Sequence, residues 1–163
     1  MRPLLRTLAP LAAMSAAVLV AAPALAASPH FVRADLSASG SDLTVSFKEA
    51  GLGNTTTVTV QASADYEAVF QCINGGGRNP SAANKTTIDG STSVSGSFVS
   101  DRNGTVTGAL TVHAPTVADN GFSCPPGQRE TLTGLWWSGV RVDDLTSGAS
   151  YVVPGGTPVV ALP

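Results

Sequence analysis

Between residues 56 and 73 the chain alternates apolar and polar side chains with a period of two. Thr56, Val58, Val60, Ala62, Ala64, Tyr66, Ala68, Phe70 and Cys72 share one parity. Thr57, Thr59, Gln61, Ser63, Asp65, Glu67, Val69, Gln71 and Ile73 share the other. That period marks a half-buried β-strand, with Cys72 on the buried side. Eighteen residues would be long for one strand in a small domain, so a bend near Ser63 to Asp65 is expected, dividing the stretch in two. Leu43, Val45 and Phe47 alternate in the same way with Asp42, Thr44, Ser46 and Lys48. So do Val94, Gly96 and Phe98 with serines, and Val106, Leu110 and Val112 with threonines. Asp101-Arg102-Asn103-Gly104 lies between these last two runs, and Asn-Gly between alternating runs predicts a hairpin. A further hairpin is expected to join 139–145 to 149–153 through Thr146-Ser147-Gly148.

No stretch after the first twenty-six residues repeats apolar positions at three and four over a dozen residues, and threonine, which favours strands, is abundant. Eight to ten short strands with turn signals between them predict an all-β chain. The expected form is an antiparallel immunoglobulin-like β-sandwich, with a jelly roll or small barrel as the alternative.

The apolar run at the start has a different meaning. Arg2 and Arg6 precede an apolar segment, Leu8 to Val20, and Ala24-Leu25-Ala26 supplies small residues at a cleavage position. Residues 1–26 read as a secretory signal peptide and 27–163 as one β-sandwich domain. The run is too short and too early broken by Pro23 for a membrane span. Removing 26 residues from 163 leaves 137. Two of nine cations leave with the signal, so seven remain against eleven acids, a net charge of −4. That balance gives no reason to expect nucleic acid or an anionic membrane as partner, and no stable membrane anchor is expected.

The only two cysteines, Cys72 and Cys124, are expected to form one disulfide in an exported protein. Closing a loop of that length stabilises by roughly 4 kcal/mol in the chain-entropy model. No metal-ligand spacing is present and no cofactor is expected. His30 and His113 lack a nucleophile motif, and Asp65, Glu67, Asp143 and Asp144 read as solvated acids, so no catalytic residue is assigned and the chain is expected not to be an enzyme.

Binding residues commonly sit on loops held by a rigid scaffold. The segments 74–84 and 114–127 carry or flank the cysteines, so a disulfide would bring them together. Asn74, Arg78, Asn79, Asn84, Asp119 and Asn120 are therefore candidate ligand-binding residues. In a regular strand the adjacent Trp136 and Trp137 face opposite sides. Leu132, Gly134, Trp136, Val140 and Val142 share the parity expected of the core, which leaves Trp137 exposed beside Arg141 as two further candidates. A bulge at Ser138-Gly139 would break this parity downstream.

The stretches Phe47-Lys48-Glu49-Ala50-Gly51-Leu52-Gly53, Cys72-Ile73-Asn74-Gly75-Gly76-Gly77 and Pro80-Ser81-Ala82-Ala83-Asn84-Lys85 resemble those of small secreted bacterial proteins of uncharacterised function. That resemblance implies no particular activity. The order of Tyr66, Gln71-Cys72, Asn79-Pro80, Phe98, Asp101 and Gly104 is similar in layout to neocarzinostatin-type apoproteins. It implies a secreted immunoglobulin-like sandwich. The expectation is a secreted, non-catalytic binding protein with an extracellular ligand, a carbohydrate or cell-wall glycan first. The alternative is a structural or surface protein that binds another protein or itself.

Overall fold

The computed structural model describes residues 28–76, 84–119 and 121–154, and the backbone of 159–160. The expected signal segment lies outside the described residues. The strands run in the order β1 (His30–Ser39), β2 (Asp42–Ala50), β3 (Thr57–Asn74), β4 (Lys85–Val99), β5 (Val106–Val112), β6 (Gln128–Asp144), β7 (Ser150–Val152) and β8 (Val159–Val160). A single 3₁₀ turn, Val117–Asp119, lies between β5 and β6. No helix among the described residues is long and apolar enough to cross a membrane.

The strands pair into two antiparallel sheets. The smaller has the order β1-β2-β5, and the larger β4-β3-β6-β7, with β8 joining β6 on the same side as β7. The all-β sandwich expected from the alternation is the fold. Leu43, Val45 and Phe47 of β2 face Val58, Val60, Ala62, Ala64, Ala68 and Phe70 of β3, all of them buried. Phe47 lies edge-on to Phe31 and to Phe98, with ring centroids 5.9 Å and 5.1 Å apart. Gly96 and Gly108 make room for the Phe98 ring; a Cβ on Gly108 would lie 2.5 Å from it.

Two expectations about connections change. The expected bend in the long strand does not divide it, because β3 pairs with β4 without interruption from Thr57 to Gln71. The irregularity at Ser63 to Asp65 falls only on the ladder with β6, as a bulge. Nor do β4 and β5 form a hairpin. β4 pairs with β3 and β5 with β2, so Asp101 to Gly104 carries the chain from one sheet to the other. The physical reason is Ser100. It is 3% exposed, its hydroxyl accepts from the Thr56 amide at 2.8 Å, and it donates to the Gly53 carbonyl at 2.7 Å. The Leu52 amide donates to the Gly104 carbonyl at 3.0 Å. Gly104, at φ +72°, packs its backbone on Gly53, where a side chain would collide. Asp101 to Gly104 does form a tight turn, with the Gly104 amide donating to the Asp101 carbonyl at 3.0 Å, but the β4–β5 crossing is held against the β2–β3 crossing and the strands on either side of the turn enter different sheets. The hairpin from β6 to β7 is present as expected, with the Gly148 amide donating to the Asp144 carbonyl.

Candidate functional site

One candidate region is the end of the sandwich where β3 finishes and β6 begins. Cys72 and Cys124 are joined there as expected, with Cα atoms 5.6 Å apart and a sequence separation of 52. Cys72 is buried, as its parity requires. The Cys124 amide donates to Glu130 Oε1 at 3.0 Å. A groove of about 400 Å³ lies beside the bridge, lined by Ile73, Asn74, Gly75, Gly127, Gln128 and Arg129. Asn74 Oδ1 accepts from the Gly76 amide, and Asn84 Nδ2 donates to Gln128 Oε1 at 3.4 Å. Asn74 lines this groove and pairs across the strands with Gln128, which Asn84 reaches from outside the lining. Asp119 does something more local: its carboxylate accepts from the Thr116 hydroxyl and amide, both at 2.7 Å, and these bonds hold its pKa below the ordinary value. Arg78, Asn79 and Asn120 lie outside the described residues.

The tryptophan assignment is reversed. Trp137 is 0% exposed and belongs to the core, whereas Trp136 is 37% exposed. Two bulges in β6 cause this. Ser63 pairs with Arg141 and Asp65 with Ser138, so Gly139 and Val140 together oppose Ala64. Val69 pairs with Gly134 and Phe70 with Leu132, leaving Thr133 as a second extra residue. Each extra residue flips the parity. Downstream of Gly139 the core takes Val140 and Val142, as read from sequence; upstream it takes Leu135 and Trp137. Gly139 is at φ +58°, the left-handed backbone that suits glycine in such a bulge. The Ser-Gly pair inside an apolar strand was the available signal.

The outward-facing Trp136 lies within a second candidate region, the solvent face of the larger sheet. Its benzo edge covers Gly134, where a Cβ would lie 2.9 Å from the ring and 3.5 Å from Val69. Val69 faces outward yet is only 6% exposed. The ring therefore lies along the sheet rather than standing off it. Directly across the strands, Trp136 pairs with Glu67 and Glu67 with Asp89. Two residues along, on the same face, Asp65 pairs with Ser138 and Ser91. Asp65, Tyr66, Glu67, Asp89, Gly90, Trp136 and Ser138 line a groove of about 610 Å³. Like charges directly opposite one another weaken a sheet, so Glu67 beside Asp89 has no reason in folding stability.

Arg141 lies further along the same face, not over Trp137. Its guanidinium donates to Asp143 and, at 3.1 Å, to Ser150 Oγ. Burial works to raise the Asp143 pKa, but the hydrogen bonds from Arg141 and Ser150 outweigh it and hold the carboxyl below its ordinary value. A groove of about 580 Å³ lined by Gln61, Ser63, Arg141, Asp143, Leu145 and Ser150, among others, continues the solvent face beyond Asp65. From Glu67 to Gln61 this face extends about 20 Å.

The two histidines stand apart from these grooves. His113 Nδ1 is 3.0 Å from Asp42 Oδ2, and His30 Nδ1 is 2.8 Å from the Ser28 carbonyl. Asp65 and Glu67 are exposed, in keeping with their reading as solvated acids, but Asp144 is 1% exposed and does not belong with them. Its parity, shared with Val140 and Val142, carries it into the interior. Glu49, 0% exposed, is the second buried acid, and the alternation Leu43, Val45, Phe47 extended by one step would have placed it there. No protein-family model matches the chain, and no curated protein matches it.

Proposed function

We propose that the chain is a secreted, non-catalytic binding protein with an immunoglobulin-like sandwich, and that its ligand is a carbohydrate carried on the solvent face of the larger sheet. The observation that carries this reading is Trp136. Its ring is exposed, held along the sheet by Gly134 and Val69, and flanked by Glu67, Asp89, Asp65 and Ser138. A sugar ring presents an apolar face and a rim of hydroxyls. The first suits an indole, and the second suits carboxylates, which accept two hydrogen bonds each. Side chains placed on strands also hold a planar site more rigidly than loops do.

Secretion is supported by the composition of residues 1–26 and by the disulfide. The immunoglobulin-like reading is supported by connectivity. The first, second and fifth strands form one sheet and the fourth, third, sixth and seventh the other, a crossed connection of the Greek-key kind.

A glycan array together with a peptidoglycan pull-down tests the proposal. Wild-type protein is expected to retain at least one glycan, and Trp136→Ala or Glu67→Gln to weaken it about tenfold or more, with unchanged circular dichroism. Absence of glycan binding by the wild type, or equal binding by Trp136→Ala, rejects it.

A second reading rests on β4. This edge strand pairs with β3 in continuous register, and its residues Gly90 to Val99 include no charge and no proline. Native edges usually carry such protection. Self-association through β4 would show as a dimer in light scattering that Val94→Lys or a proline at Ser95 abolishes.

A further inference from the structure

Glu49 and Asp144 belong to different sheets, both are buried, and Asp144 is the charged group that acts on Glu49. Glu49 lies on β2, between Phe31 of β1 and Val106 of β5 in the pairing, and both of those neighbours are buried and apolar. Asp144 ends β6, beside Val60 of β3. Its Oδ1 accepts from the Thr146 amide at 2.8 Å and its Oδ2 from the Ser147 hydroxyl at 2.5 Å, so this carboxylate organises the β6–β7 hairpin. Glu49 is different. Both of its oxygens are buried, and no donor reaches either of them.

Among the described residues of the neighbouring strands, no cation faces Glu49. On its own strand, alternation turns Lys48 to the opposite side of the sheet. On β1, the His30 ring is engaged with the Ser28 carbonyl, and Arg33 pairs with Asp35. On β7, the titratable Tyr151 packs its ring against Phe31. β5 presents Val106, and the charged group that β6 presents is Asp144 itself. Two buried carboxylates without a cation cannot both be ionised at low cost. A proton between them would give Glu49 the hydrogen bond that its buried oxygens lack.

We infer that Glu49 and Asp144 form a proton-holding clasp between the two sheets, closed while one proton is shared and loosened at the β6–β7 hairpin when it leaves. The electrostatics agree. Burial first, then the charge of Asp144 and the hydrogen bond to it, push the Glu49 pKa from an ordinary 4.5 up to about 7. The folded state then holds a proton that the unfolded chain releases near pH 4.5. The clasp's stabilisation is complete below that pH, declines as pH rises, and is gone above about 7.

Denaturant unfolding of the oxidised protein across pH 4.5 to 8.5, compared with Glu49→Gln, tests this. The difference between the two proteins removes every other titration. Wild type is expected to lose about a hundredfold in its folding equilibrium constant relative to Glu49→Gln over that range. Parallel pH profiles overturn the inference. Carboxyl-labelled glutamate NMR of the wild type provides a readout that does not depend on the variant folding. The chain has three glutamates, Glu49, Glu67 and Glu130, so three carboxyl signals are expected. One should titrate near neutrality, and faster hydrogen exchange at the Thr146 and Gly148 amides should accompany it. Three carboxyls titrating in the ordinary glutamate range overturn the inference equally.

Discussion

Tyr66 of β3 and Trp137 of β6 pair directly across their strands and meet edge to face inside the sandwich, with ring centroids 6.1 Å apart and planes at 82°. Trp137 is among the largest fully buried side chains, and its indole N–H has no hydrogen-bond partner. Truncating it to alanine is expected to cost about 3–5 kcal/mol. Trp137→Phe keeps the ring contact and removes the orphaned donor, so its cost should stay below about 1.5 kcal/mol. Denaturant titration of both variants checks the pair of values. Because the chain has two tryptophans, fluorescence of each single variant also separates a buried emitter, Trp137, from a water-facing one, Trp136.

The Phe98 ring occupies the space left by two glycines. An alanine at Gly108 would put its methyl 2.5 Å from Phe98 and 2.8 Å from Phe47, two rings already packed edge-on with centroids 5.1 Å apart. Gly108→Ala should destabilise by about 1–3 kcal/mol through overpacking. Gly148→Ala is a different case: nothing lies near its Cβ, and only the positive φ of 82° opposes the change. A loss of about 1 kcal/mol is expected there. Melting curves that rank the two in the opposite order would contradict the packing described for Phe98.

Ser100 joins the two crossings between sheets. Its removal leaves the Thr56 amide and the Gly53 carbonyl without the hydroxyl that serves both. Ser100→Ala should therefore cost about 1–3 kcal/mol, and Ser100→Thr considerably less if its added methyl fits. Native-state hydrogen exchange should locate the effect at the Thr56 amide first.

Reducing the Cys72–Cys124 bridge releases a loop spanning 52 positions. The loss expected on reduction, or in a double Cys→Ser variant, is about 2–5 kcal/mol. The midpoint of guanidinium unfolding measures it. The groove lined by Asn74 and Gln128 should be the part whose exchange accelerates most, since the bridge lies beside it.

Strand positions were legible from sequence wherever one ladder repeats without interruption. The run from Val58 to Cys72 and the run from Leu43 to Phe47 show this, because a period of two reports the buried face directly. What failed was whatever depends on pairing. The alternation around Trp136 and Trp137 is real, but two bulges decide which parity faces inward, and a bulge is a property of two strands. The Asn103-Gly104 turn has the local chemistry of a hairpin, yet Ser100 and Gly53, far apart in sequence, commit it to a crossing. The same distinction applies to the site. The disulfide followed from the two cysteines, whereas the row Asp89, Glu67, Trp136 exists only once three strands are in register. Glu49 is also legible in the sequence, since the alternation of Leu43, Val45 and Phe47 assigns position 49 to the interior whatever its charge.

Gly139 has a consequence for how this chain can change over generations. Because one extra residue there reverses the phase of β6, the two halves of the strand are written in opposite codes, Leu135 and Trp137 in one and Val140 and Val142 in the other. Substitutions on the solvent side of either half leave this arrangement intact. A deletion at Gly139 does not: it would make one half present its outward-facing residues, Trp136 and Ser138 or Arg141 and Asp143, to the interior all at once. Lineages of this protein should accordingly accept new letters along β6 far more readily than a change in its length.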